Sequence, residues 1–244
     1  MNHRRYISMV AVVIAIVAAA MHLLSTRPPA AQISHQLINV GQLERTFRVT
    51  VPNDLVTPAP LVFAFHGIGD STDSMADYSQ LDRLAAKNGF LLVYPAIRNG
   101  TWDAISVDPE MLDTNPDVQF FDALLEHMSS QYQINRDRVY LMGMSNGGSF
   151  VQLLANARSS KIAGVVAHSG PRPRSLKDAE YRFPILMIVG SDDFAASSMQ
   201  TDLDYYRETG HAADLIVIDG LGHAWSTRSN ANVWAFLTDH RLSR

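Results

Sequence analysis

Five apolar runs constrain this chain more than any other feature. They are "LVFAF" (61–65), "FLLVYP" (90–95), "RVYLMGM" (138–144), "IAGVVAHS" (162–169) and "PILMIVG" (184–190). A strand with one wet face alternates apolar and polar residues, whereas a run apolar on both sides is a strand covered on both faces. Segments of helical period lie between them: "SMADYSQLDRLAAKNG" (74–89), "NPDVQFFDALLEHMSSQY" (115–132) and "NGGSFVQLLANA" (146–157). "SMQTDLDYYRETG" and "NANVWAFLTDH" read as two more helices, and "ADLIVID" as a further strand. Strands alternating with helices imply an α/β protein with a mainly parallel central sheet and helices on both faces. Ahead of this series, "HQLINV" and "RTFRVTV" alternate with period two and predict a hairpin. Asn115 is the expected N-cap of the 115–132 helix, with Pro116 at its first position.

The N-terminus follows different rules. "MNHRRY" is basic, and the stretch from Ile7 to Leu24 is almost wholly apolar over 18 residues. A basic start, an apolar stretch and the small residues Ala18-Ala19-Ala20 form the pattern of a secretory signal, and the length also approaches that of a membrane span. Residues 1–33 are therefore expected to be a signal peptide or signal anchor followed by a Pro/Ala linker, with residues 34–244 as the working domain. This predicts an exported protein, periplasmic or extracellular, that touches a membrane only through an uncleaved N-terminal segment. A net charge of −4 carries no basic footprint for nucleic acid. The chain has no cysteine, which excludes a disulfide framework and thiolate metal sites. No His/Asp/Glu group has metal-ligand spacing, so neither metal nor cofactor is expected.

Loops at the carboxyl ends of parallel strands converge on one rim, where ligands bind. "GMSNGG" (143–148) lies there, between a strand and a helix. A turn that passes directly from strand to helix crowds the positions flanking Ser145, which Gly143 and Gly147 relieve. The turn projects the serine hydroxyl over the helix N-terminus and offers the Asn146 N–H to a developing oxyanion. Of the nine histidines, His66, His168 and His223 follow apolar strands. His223, in "DGLGHAW", lies after the last strand and completes the order Ser…Asp…His, which makes it the favoured general base. His66 in "FHG" is the alternative base, and the N–H of Gly67 or Ile68 beside it would complete an oxyanion hole. His168 is read as a pocket-lining or structural residue, and His35, His127, His211 and His240 as solvated. "GSDD" brings Asp192 and Asp193 to the rim, and local pattern does not separate them as the group that orients the imidazole.

These motifs resemble those of the polyhydroxybutyrate depolymerase and feruloyl esterase family of α/β-hydrolases. The resemblance runs from about Leu37 to the last helix, through "LERTFRVTVP", "FHGIGDSTDSM", "LAAKNGFLLVYP", "TWD", "GSDD" and "GLGHAW". Its most specific block is 116–148. It implies the α/β-hydrolase fold without a large lid domain, and serine esterase activity. It also selects Asp193 over Asp192, because the family's acid stands three residues after the strand-ending glycine. Trp102 and Trp225 are implied as pocket-lining residues, with His66 beside them. "LGHAWSTR" lacks the proline and final glycine that the family commonly carries after its histidine. With no binding domain or linker leading to one, a soluble ester or oligomer is the expected substrate rather than an insoluble polymer. An exopeptidase or acyltransferase would use the same three residues. A non-catalytic, membrane-tethered binding protein is the alternative outside catalysis.

Overall fold

A computed structural model describes residues 30–104 and 107–242. Of the signal segment and linker expected over 1–33, residues 1–29 lie outside the described residues, and no helix among those described is long and apolar enough to cross a membrane. The strands are β1 (Ala31–Val40), β2 (Leu43–Pro52), β3 (Ala59–Phe65), β4 (Leu91–Pro95), β5 (Ile134–Met144), β6 (Gly164–His168), β7 (Ile185–Gly190) and β8 (Ala213–Ile218). The helices are α1 (Thr72–Ser79), α2 (Leu81–Asn88), α3 (Pro116–Gln131), α4 (Asn146–Ala157), α5 (Ala196–Glu208) and α6 (Asn230–Thr238). The eight strands form one sheet in the order β1-β2-β4-β3-β5-β6-β7-β8. β1 and β2 are antiparallel to their neighbours, and β4 through β8 pair in parallel. β1 begins at Ala31, three residues before the expected domain start at Ser34.

The apolar runs fill the middle of this sheet because both of their faces are covered. In β3, Leu61, Phe63 and Phe65 pack with Phe120, Phe121 and Leu124 of α3 and Phe150 and Leu154 of α4. Val62 and Ala64, pointing the other way, join Met75 of α1, Leu81 and Ala85 of α2, and Val233 and Leu237 of α6. Each apolar side chain removed from water in this way contributes about 1.5–3 kcal/mol. α3 starts as expected: Asn115 Oδ1 accepts from the N–H groups of both Asp117 and Val118, and Pro116 follows the cap.

The helix expected over 74–89 is instead two helices. Gln80 sits between them in the left-handed region (φ 57°, ψ 23°). The break frees the Ser79 carbonyl to accept from Asn230 Nδ2 at 2.8 Å. It also sets Asp82 against Arg48, Thr50 and Tyr94 at 2.5–3.0 Å. Tertiary partners thus override a helical period that is continuous in the sequence. His211, expected in solvent, is buried between Phe183 and Tyr206, and burial lowers its pKa.

Candidate active site

The carboxyl ends of β3, β5, β6, β7 and β8 supply the site. β5 passes into α4 through Ser145, whose backbone is held at φ 56° and ψ −122°, a conformation that costs a non-glycine residue about 1–3 kcal/mol. The surroundings enforce it. A Cβ on Gly143 would stand 2.1 Å from the Gly147 carbonyl oxygen, and a Cβ on Gly147 would stand 2.1 Å from that of Phe65. Both positions therefore admit only glycine, and the strand, turn and helix close on one another with the Ser145 side chain turned outward.

His223 Nε2 lies 2.9 Å from Ser145 Oγ, and His223 Nδ1 lies 3.0 Å from Asp193 Oδ2. Asp193 is buried, whereas Asp192 beside it is exposed, and its carboxylate accepts from the neighbouring Ser191 hydroxyl. Burial pushes the Asp193 carboxyl up. The Ala195 N–H, the Ser169 hydroxyl and His223 outweigh that effect and leave its pKa below the ordinary value. An ionised carboxylate fixed in this way holds the imidazole with Nδ1 protonated and Nε2 free to accept a proton from the serine.

The remaining candidates separate into two groups. Gly67 and Ile68 lie in the loop after β3 and line a cavity of about 410 Å³ with Ser145, His223 and Trp225. Among the described residues the N–H groups of Gly67 and Ile68 have no hydrogen-bond acceptor, which leaves them free for an oxyanion. Asn146 begins α4, so its N–H belongs to the unsatisfied first turn of that helix. Its side chain faces away and accepts from the Thr101 hydroxyl and the Trp102 N–H at 2.8 and 2.7 Å.

His66 and Trp102 do not line this cleft, contrary to expectation. His66 is buried; its Nε2 accepts from the Ile97 N–H at 3.3 Å, so Nδ1 carries the proton and donates to the Gly67 carbonyl at 2.9 Å. That bond orients the Gly67–Ile68 peptide, and the Ile68 N–H points to the side opposite the ring. Burial lowers the His66 pKa. Trp102 is wholly buried, donates from Nε1 to the His66 carbonyl at 2.8 Å and stacks on Phe150. It borders a separate cavity of about 430 Å³ shared with Arg45, Arg98 and Asp117. Both residues brace the loop after β3 from behind.

Four residues that sequence reasoning passed over, or left undefined, complete the site. His168 is buried, and its carbonyl accepts from the Ser145 N–H at 2.9 Å. Its Nε2 accepts from the Ser226 N–H at 3.0 Å, and its ring stacks on Trp225. It therefore joins the serine turn to the loop that carries His223. Phe194, 80% exposed, stacks on the His223 ring at 4.5 Å. Asp70 and Tyr78 stand on the cleft wall. A polar residue in a loop gives no periodic signal, which is why Asp70 was not legible. Among the described residues no three His, Asp or Glu side chains meet as a metal site.

Known proteins share this arrangement of strands and helices. The feruloyl esterase module from Clostridium thermocellum superposes with a TM-score of 0.70 at 15% identity, covering 86% of this chain and 88% of that one. The S-formylglutathione hydrolase of Staphylococcus aureus gives 0.70 at 13% identity, covering 85% and 98%. These likenesses identify the α/β-hydrolase fold. In sequence, the chain is 29% identical over 171 residues to a bifunctional acetylxylan esterase/xylanase from Neocallimastix patriciarum, covering 68% of this chain and 24% of the relative. It is 32% identical over 142 residues to a putative esterase from Nocardia uniformis subsp. tsuyamanensis, covering 55% and 40%. The chain thus spans less than half the length of these curated relatives. The family model for esterase PHB depolymerase matches residues 49–179, which include the loop after β3 and the Ser145 turn. With that match over more than half its length, on this fold, the chain belongs to the esterase PHB depolymerase family.

Proposed function

We propose that this protein is an exported serine esterase that hydrolyses carboxylic esters through an acyl-enzyme. The observation that carries the reading is the Ser145–His223–Asp193 chain of hydrogen bonds, 2.9 and 3.0 Å long, on a turn that strains the serine. His223 Nε2 takes the hydroxyl proton as Ser145 Oγ bonds to the ester carbonyl carbon. The N–H groups of Asn146 and of Gly67 or Ile68 receive the oxyanion. As the tetrahedral species collapses, the bond to the alkoxy oxygen breaks and His223 returns the proton to the departing alcohol. Water then attacks the acyl carbon, giving a proton to His223, which passes it back to Ser145 as the carboxylic acid leaves.

The substrate classes are short-acyl esters, feruloyl or acetyl-sugar esters and hydroxyalkanoate oligomers. Relatives named as acetylxylan and feruloyl esterases, and the esterase PHB depolymerase family itself, support this range. Export rests on the N-terminal sequence. Hydrolysis of p-nitrophenyl acetate, methyl ferulate, acetylated xylose and hydroxybutyrate oligomers tests the reading. At least one should be turned over, with Ser145→Ala lowering kcat by about 10⁶. Turnover that survives this substitution, or inactivity on every ester, contradicts it.

A further inference from the structure

The cleft wall beside Ser145 carries a carboxylate that the esterase mechanism does not use. Asp70 follows the turn after β3, where its N–H donates to the Gly67 carbonyl at 3.3 Å. Its Oδ2 accepts from the Tyr78 hydroxyl at 3.2 Å. The same Oδ2 lies 3.3 Å from the point that a Cβ on Gly67 would occupy, and Ser145 Cβ lies 3.3 Å from that same point. Carboxylate and nucleophile thus flank one small space. Asp70 Oδ1 has no hydrogen-bond partner among the described residues, and the cavity it lines also includes the apolar residues Ile68, Met144, Ala224 and Trp225.

A substrate that fills this space displaces the water solvating Oδ1. A group without a donor leaves the carboxylate desolvated and unpaired, an anionic group adds repulsion, and a hydroxyl replaces the lost water. Tyr78 does not meet this need, because its hydroxyl is already given to Oδ2. Burial, and after it the Asp70 charge, raises the Tyr78 pKa, so the phenol remains a donor there.

We propose that Asp70 is a specificity determinant, selecting esters whose group in the cleft presents a hydroxyl donor and rejecting esters whose group there is anionic. This rests on the serine esterase reading and narrows it. Asp70 recognises substrate and takes no part in bond making.

The test is kcat/KM on near-isosteric pairs, for the wild type, Asp70→Asn, Asp70→Ala and Tyr78→Phe. Methyl 4-hydroxycinnamate against methyl 4-methoxycinnamate probes the acyl side. The alkoxy side is probed by 2-hydroxyethyl acetate against 2-methoxyethyl acetate, and the anion by monomethyl glutarate against methyl 5-methylhexanoate. The wild type should favour the hydroxylated member of at least one pair by about 10- to 100-fold, the range of a hydrogen bond to a charged group. Asp70→Ala should bring that ratio toward parity, and both Asp70 variants should improve the anionic ester relative to its neutral partner. Asp70→Asn keeps the side-chain shape and can still accept from Tyr78, so the charge effect is read even where Asp70→Ala fails to fold. Tyr78→Phe should keep the hydroxyl preference. Ratios near parity in the wild type, or ratios that the Asp70 variants leave unchanged, overturn the proposal. Absence of turnover on all six esters, together with no fluorophosphonate adduct on Ser145, overturns the esterase reading beneath it instead.

Discussion

Ser145 holds a backbone conformation that its own chemistry does not favour, and the contacts that impose it are main-chain contacts. A methyl group at Gly147 would meet the Phe65 carbonyl oxygen at 2.1 Å and that of His66 at 2.7 Å. Backbone atoms cannot swing aside as a flexible side chain can. Gly147→Ala should therefore cost about 3 kcal/mol of stability and part the serine turn from the loop after β3. Urea unfolding and esterase activity on the same preparation check this; an unchanged midpoint with full activity contradicts it. At this scale the sequence was informative about Ser145 and His223, because a glycine-flanked serine between a strand and a helix has few other uses. Local pattern did not separate Asp192 from Asp193, since both follow the same strand, and only the family resemblance pointed to Asp193. The structure separates them by a turn: the Asp193 N–H bonds back to the Gly190 carbonyl at 3.2 Å, and its side chain accepts from the Ala195 N–H. His66 and Trp102 were misplaced for a related reason. Their orientation depends on Asn146 and Ile97, partners remote in sequence.

Elements were legible where local chemistry and packing agree. α3 begins at a residue whose side chain caps two N–H groups and whose successor is proline. Asn115 also donates from Nδ2 to the Asp103 carbonyl, which ties the helix start to the loop carrying Trp102. Asn115→Ala should lower stability by about 1–2 kcal/mol, and Tm by about 2–4 °C per kcal/mol. Calorimetry measures this, and Asn115→Asp, which retains the acceptor, should recover part of the loss. Equal losses in the two variants would show that the cap contributes little. The division of the 74–89 segment into α1 and α2 was not legible, because Asn230 and Arg48, which reward the break, are distant in the chain. The buried strands of the sheet were legible because burial on both faces leaves no room for polar alternation.

The whole molecule carries a pH dependence that follows from its buried histidines. Burial, the largest influence, lowers the His168 pKa from 6.5 to about 4; Asp193 opposes this and His223 adds to it. Between these two values the unfolded chain binds a proton that the native state does not. The stabilisation is therefore complete above pH 6.5 and is lost as pH falls toward 4, amounting to about 3 kcal/mol. His66 and His211, also lowered by burial, act in the same direction. Denaturant unfolding at several pH values across this window should show stability falling with pH, and His168→Gln should flatten the slope. A slope identical in the variant and the wild type would contradict this. Loss of His168 also releases the Ser226 N–H and the Trp225 stack, so kcat should fall along with stability.

These scales meet at one atom, Ser145 Oγ, 2.9 Å from a base that a buried carboxylate holds in place. A fluorophosphonate reports on that atom directly, because a serine activated in this way displaces its fluoride and forms a stable adduct. Intact mass and peptide mapping after labelling should find one adduct per chain, on Ser145, and none on Ser145→Ala. An unlabelled wild-type chain, or an adduct that persists in Ser145→Ala, would contradict the assignment of the nucleophile.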